Sequence, residues 1–188
     1  MEQPSDEALL IAYANGDRQA AGDLTRRLLP RVLGQAARMI GDRAEAEDVA
    51  QEAMMRLWRI APDWRRGEAQ VTTWLYRVTA NLCTDRLRKS GRHMPLDAVP
   101  DPPDPSPGPV AAMAADARAE ALEAALMELP DRQRQAVILR HIDGLSNPEI
   151  ARIMDIGVEA VESLTARGKR KLAALLLPQK SELGLSDG

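Results

Sequence analysis

Along the stretch "VTTWLYRVTANLCTDRLRKSGR", residues 71–92, Arg77, Asn81, Thr84 and Arg88 fall on one face at helical spacing. Trp74 flanks that stripe, and Lys89 and Arg92 extend its basic end. Guanidinium groups, a side-chain amide, a hydroxyl and a large aromatic are the groups that hold phosphates and read or stack opened bases. Just upstream, "PDWRRGEAQ" adds a loop with Trp64, Arg65 and Arg66, and a basic aromatic loop joined to a basic helix suits unpaired strands better than duplex. The plain alternative is a solvated polar face with Trp74 in the core. The stripe favours nucleic acid, whereas for Trp74 by itself core packing is the better account.

A second constellation lies in "GLSNPEIARIMDIGVEAVESLTARGKRK", residues 144–171. Ser146 and Glu149 form an S-x-x-E capping box with Pro148 in the first turn, which predicts the start of a short helix burying Ile150, Ala151 and Met154. Asp155 and Gly157 turn the chain, and a second helix is predicted over residues 158–176. Its inner stripe is Val161, Thr165, Gly168 and Leu172, where Gly168 sacrifices helix propensity for close helix approach. Glu159, Glu162, Ser163, Arg167, Lys169 and Arg170 fall on the outer side. Two helices on a short turn make a helix-turn-helix, whose second helix enters the major groove. An ordinary helical hairpin with a charged end is the competing account; the cap, the turn and the basic cluster together favour DNA.

A third face belongs to "AEAEDVAQEAMMRLW", whose spacing buries Ala46, Val49, Ala50, Ala53 and Leu57 and shows Asp48, Gln51, Glu52, Met55, Arg56 and Arg59. A solvated face would look the same, but an outward Met in a mixed-charge patch also suits a protein partner. Catalytic readings find little support. His93 and His141 are the only histidines and neither has metal-ligand spacing, so a helical hydrolase built on Asp42, Glu45, Asp48 and Glu52 is disfavoured. Phosphate-cradling glycine loops and nucleophile elbows are absent, so neither enzyme activity nor a cofactor or metal is expected. The lone Cys83 excludes an internal disulfide and reads as a small packed residue.

The elements that must carry these faces are helical. With 45% hydrophobic residues, 3% aromatics and no Phe, the chain is rich in Ala and Leu at helical rather than alternating spacing, which predicts an all-α fold. Leu24, Leu28, Ala36 and Ile40 mark the inner side of a helix over residues 20–40, Gly41 ends it, and Asp42 with Glu45 caps the next. On the helix of the basic stripe, the opposite side carries Leu75, Val78, Leu82 and Arg86. "MELPDRQRQAVILRHIDGLS" is a further helix, with Pro130 near its first turn, Val137, Ile138 and Ile142 inward and Gly144 closing it.

Between the two groups of helices lies "MPLDAVPDPPDPSPGPV", whose prolines predict an extended, flexible linker. Residues 94–117 contain Asp97, Asp101, Asp104 and Asp116 and no Lys or Arg, so the net charge of −3 gathers largely there. Each flanking module is near neutral and locally polarised. The predicted organisation is two small helical domains, 1–93 and 116–178, a Pro-rich acidic linker over 94–115 and a tail over 179–188. The start "MEQPSDEALL" is no signal peptide, and no apolar run approaches the roughly 20 residues of a membrane span, so a cytoplasmic protein is expected.

In order, "GDRAEAEDVAQEAMMRLW", "TTWLYRVTANLCTDRLRK", "LPDRQRQAVILRHIDGLSNPEIA" and the last helix resemble the bacterial extracytoplasmic-function (ECF) sigma factors, the two-domain form of the sigma-70 family, from about Ala20 to Leu176. The resemblance implies a sigma-2 bundle and a sigma-4 helix-turn-helix. Asp48, Gln51, Glu52, Met55 and Arg56 would dock on the β′ clamp of core RNA polymerase. Trp64, Arg65, Arg66, Trp74, Arg77, Asn81, Thr84, Arg88 and Lys89 would melt and hold the −10 promoter strand. Glu159, Glu162, Ser163, Arg167, Lys169 and Arg170 would meet the −35 element. It also implies contact with the polymerase β subunit, a linker threading the polymerase cleft, a role in stress response and restraint by an anti-sigma factor. Departures from the family pattern are Val71 where Phe is frequent, Asp155 and Gly157 where Gly then Ser are usual, and Glu162 and Leu164 at positions that are frequently basic. The alternative is a stand-alone helix-turn-helix regulator, which leaves the first two faces without a role.

Overall fold

The computed structural model describes residues 3–97, 102 and 115–177, and every regular element among them is helical. They form two compact units, the first holding α1–α4 and the second α5, α6, α8 and most of α7. The predicted linker lies mostly, and the predicted tail wholly, outside the described residues.

In the first unit, α1 (Asp6–Ala14), α2 (Arg18–Ile40), α3 (Arg43–Ile60) and α4 (Val71–Lys89) pack around one core, with a 3-10 turn at Ala61–Asp63. Each of the first three starts on a side-chain cap. Ser5 accepts from the Ala8 N–H, Asp17 from those of Gln19 and Ala20, and Asp42 from that of Glu45. Gly41 ends α2 at φ 77°, a left-handed conformation that costs glycine least. Leu10, Leu24, Leu28, Val32 and Leu57 interlock with Ala50 and Ala53 of α3. Small residues on α3 let the helices approach closely, so a core nearly free of aromatics still fills; each buried leucine contributes about 1.5–3 kcal/mol.

The inner side of α4 differs from the sequence expectation. Tyr76, Thr79, Ala80, Cys83 and Leu87 are buried along with Leu75, while Val78, Leu82 and Arg86 are only half-buried. The reason is that α4 packs on both α2 and α3, so its buried arc is wide and includes polar positions that an apolar count passes over. Thr79 enters the core because its hydroxyl donates to the Leu75 carbonyl at 2.8 Å, leaving no unpaired group.

The second unit consists of α5 (Ala115–Met127), α6 (Asp131–Val137), a π-helical turn at Ile138–Ile142, α7 (Asn147–Met154) and α8 (Val158–Leu176). The single helix expected through residues 131–142 therefore changes winding at Ile138, and Pro130 stands at its N-cap, next to the first turn as expected. The full capping box at Ser146 and Glu149 is present, with Pro148 in the first turn of α7. Asp155 takes the left-handed position after α7 at φ 55°, whereas Gly157 is extended at the N-cap of α8.

A buried charge organises the start of α6. Arg134, 1% exposed, donates to the carbonyls of Leu126 and Leu129, both at 2.8 Å, and so closes the last turn of α5. Asp131, 3% exposed, lies 3.5 Å from the Arg134 guanidinium. It also accepts from the Met94 N–H at 3.2 Å and lies 2.5 Å from His93 Nδ1, while its own N–H donates to the Met94 carbonyl at 3.0 Å. Residues 93–94 are thereby part of the second unit.

Candidate nucleic-acid and polymerase interfaces

On α3, the inner residues are buried as the spacing predicts, and Asp48, Gln51, Met55, Arg56 and Arg59 stand exposed with Glu52 half-buried. Met55 keeps 43% of its surface, one of the few large apolar side chains to do so. Beside it Arg56 Nε donates to Glu52 Oε1 at 2.9 Å, and the Arg59 guanidinium lies 3.8 Å from the same oxygen. That hydrogen bond from Arg56 is the main cause of a Glu52 carboxyl held below its usual range. The patch is thus a methionine bordered by an ordered charge pair.

On α4, Arg77, Asn81, Arg88 and Lys89 are exposed and Thr84 is half-buried, so the predicted stripe is brought together on one side of the helix. Asp48 of α3 lies 3.7 Å from Arg86 of α4, which ties the acidic face to the helix that carries the stripe. Trp64 and Trp74 are half-buried and rest on the core. They also meet edge to face, ring centroids 6.3 Å apart at 88°. Such a pair stiffens the junction between loop and helix.

The loop itself has an anchor that the sequence reading missed. Glu7, in the first turn of α1, accepts from the Gly67 N–H at 3.0 Å and from the Trp64 indole N–H at 3.3 Å through the same oxygen. The Gly67 bond is the larger cause of a lowered Glu7 carboxyl pKa, with the Trp64 bond next and the Arg66 charge contributing. Arg65 and Arg66 between the two anchor points remain exposed. No local signal marks Glu7, because its partners are distant in the chain.

On α8, Val161, Thr165, Gly168 and Leu172 are buried as predicted. Glu159, Glu162, Ser163, Arg167 and Lys169 are exposed, and Arg170 is half-buried. Leu164 is buried as well, so that departure from a basic residue belongs to the core. Two residues that the sequence reading did not assign to this surface, one cationic and one a histidine, join this end. Arg140 and His141 lie on the π-helical turn, and the His141 pKa is lowered by partial desolvation first and by the charges of Lys169 and Arg140 next.

Among the described residues no group of His, Cys, Asp or Glu could hold a metal, and none of their helices is long and apolar enough to cross a membrane.

Residues 24–93 match the Sigma-70 region 2 family and residues 119–172 the Sigma-70 region 4 family. The ECF RNA polymerase sigma factor SigM of Mycobacterium tuberculosis is 38% identical over 176 residues, 92% of this chain and 85% of that protein. The ECF RNA polymerase sigma-E factor of Escherichia coli K12 is 32% identical over 181 residues, 91% and 94% of the two chains. Among solved structures, CnrH in complex with the cytosolic domain of CnrY matches with a TM-score of 0.68 and 27% identity, covering 92% of this chain and 97% of that one.

Proposed function

The chain belongs to the ECF RNA polymerase sigma factors of the sigma-70 family, and on that premise we propose how its surfaces divide the work. It is a factor that directs core RNA polymerase to specific promoters to initiate transcription, under the restraint of an anti-sigma factor. The observation that carries the reading is the presence of both sigma regions in order across a chain that aligns with its relatives over nearly its whole length.

In this reading α1–α4 form sigma-2, the linker runs on to residue 115 with residues 93–94 at its start held to α6, and residues 116–178 form sigma-4. The α3 patch of Asp48, Gln51, Glu52, Met55 and Arg56 docks on the β′ clamp of polymerase, and sigma-4 adds a contact to the β subunit. An exposed methionine framed by a charge pair supports this assignment, since interfaces favour Met and an ordered rim. The loop with Trp64, Arg65 and Arg66 and the α4 stripe receive the unpaired −10 strand, while the outer side of α8 enters the −35 groove. An acidic linker suits a cleft built for a polyanion. A net-negative chain therefore reaches DNA through local basic surfaces, with polymerase supplying most of the phosphate attraction. The protein acts in the cytoplasm and has no catalytic activity of its own.

Run-off transcription with purified core polymerase tests this. Promoter-specific transcripts that require both components are expected. A DNA shift by the chain alone, unchanged when core is added, would instead identify a stand-alone regulator.

A further inference from the structure

We propose that Glu7 is a positioning residue that holds the strand-capturing loop in its working shape. The proposal rests on the reading of residues 64–70 as the loop that receives the unpaired −10 strand. It extends that reading to a helix for which neither the chemistry of the stripe nor the loop composition provides a role.

Glu7 stands on a rigid platform. Ser5 caps its helix, Leu9 and Leu10 are buried, and Arg27 of α2 pairs with Asp6 at 3.2 Å and donates to the Pro4 carbonyl at 2.7 Å. From there one carboxylate oxygen accepts from Trp64 Nε1 and from the Gly67 amide. The two donors bracket Arg65 and Arg66, so a single acceptor closes the turn beneath the dibasic pair and leaves both guanidinium groups outward.

Gly67 serves the same end. Its φ is 76° and a β-carbon there would meet nothing within 4 Å, so glycine is present for backbone conformation and not for space. That left-handed turn aims the Gly67 N–H at Glu7. On its other side, Trp64 is braced by Trp74 at the base of the α4 stripe. Helix α1, the loop and the stripe are joined into one surface. A loop already ordered in the free protein loses less entropy when a strand binds, and binding tightens accordingly.

The test uses the full chain assembled with core polymerase, comparing wild type, Glu7→Ala, Glu7→Gln and the double variant Arg65→Ala/Arg66→Ala. Each is measured for core binding, for binding to a pre-melted −10 promoter bubble, and for hydrogen exchange at the Gly67 amide. Glu7→Ala should keep core affinity, expose the Gly67 amide to exchange and lose about tenfold in bubble affinity, a loss of the order of one interaction of this kind. Glu7→Gln keeps an acceptor oxygen and should recover most of that loss. If the arginine double variant weakens the bubble complex but Glu7→Ala does not, or if Glu7→Ala binds the bubble more tightly, Glu7 does not position the loop. If the arginine double variant binds the bubble like wild type, the loop itself has been misassigned and the proposal goes with it.

Discussion

Gly168 of α8 lies so close to Val137 of α6 that a β-carbon on the glycine would stand 2.6 Å from Val137 Cγ2 and 3.3 Å from Leu129 Cδ2. Helix propensity favours Gly168→Ala by up to about 1 kcal/mol. Packing opposes it, because the nearest obstacle is a stiff β-branched side chain inside a filled core, where an extra carbon costs about 1–3 kcal/mol. Chemical denaturation should show net destabilisation of this variant. A more stable Gly168→Ala protein would mean that α6 and α8 separate at no cost.

Arg134 and Asp131 are both nearly fully buried, so replacing only the arginine takes the neighbouring cation from the Asp131 carboxylate and the donor from the Leu126 and Leu129 carbonyls. Arg134→Met should destabilise the second unit by about 3–5 kcal/mol, the usual cost of breaking a buried pair on one side. Adding Asp131→Asn should cost less than the sum of the two single changes. Thermal unfolding of the full-length variants reads both outcomes; strict additivity would refute a working ion pair.

His141 should titrate below the ordinary histidine range, because partial desolvation and the Lys169 and Arg140 charges disfavour its protonated form. The sign follows: the unfolded chain takes up the proton first as pH falls. The stability tied to His141 is complete above about 6.5 and is lost as pH drops through the lowered folded value. Lys169→Met should raise the His141 value in an NMR titration, and His141→Gln should flatten that part of the stability profile. Binding of −35 DNA should also raise it, since a phosphate favours the charged ring.

Asn81 and Arg88 are exposed on the side of α4 assigned to the melted strand. Asn81→Ala or Arg88→Ala should slow promoter opening by roughly tenfold, equivalent to about 1.4 kcal/mol, with core polymerase binding intact. Loss of polymerase binding in either variant would show that this face had been assigned to the wrong partner.

Much of the fold was legible because it depends on near neighbours. The Ser146–Glu149 box, the Asp42 cap and the Gly41 terminus are decided within a few residues, and the inner stripes of α3 and α8 follow from helical period alone. The same logic assembled the Arg77–Asn81–Arg88 stripe, since a straight helix brings those positions to one side whatever surrounds it. Where the chain packs on two neighbours at once the period misled, and Thr79 and Cys83 entered the core of α4 in place of Val78 and Leu82.

What tertiary structure decided are the pairings between residues far apart in sequence. Glu7 reads as one more exposed acid in a helix's first turn until folding brings Gly67 and Trp64 to it, and Asp131 gains His93 only through the chain's return. Arg134 reads as a surface cation, yet it is buried because the carbonyls ending α5 converge on it. Helix faces and caps are properties of local backbone geometry and are written in spacing. A single polar contact across the fold has no period, and its energy exists only once both partners are in place.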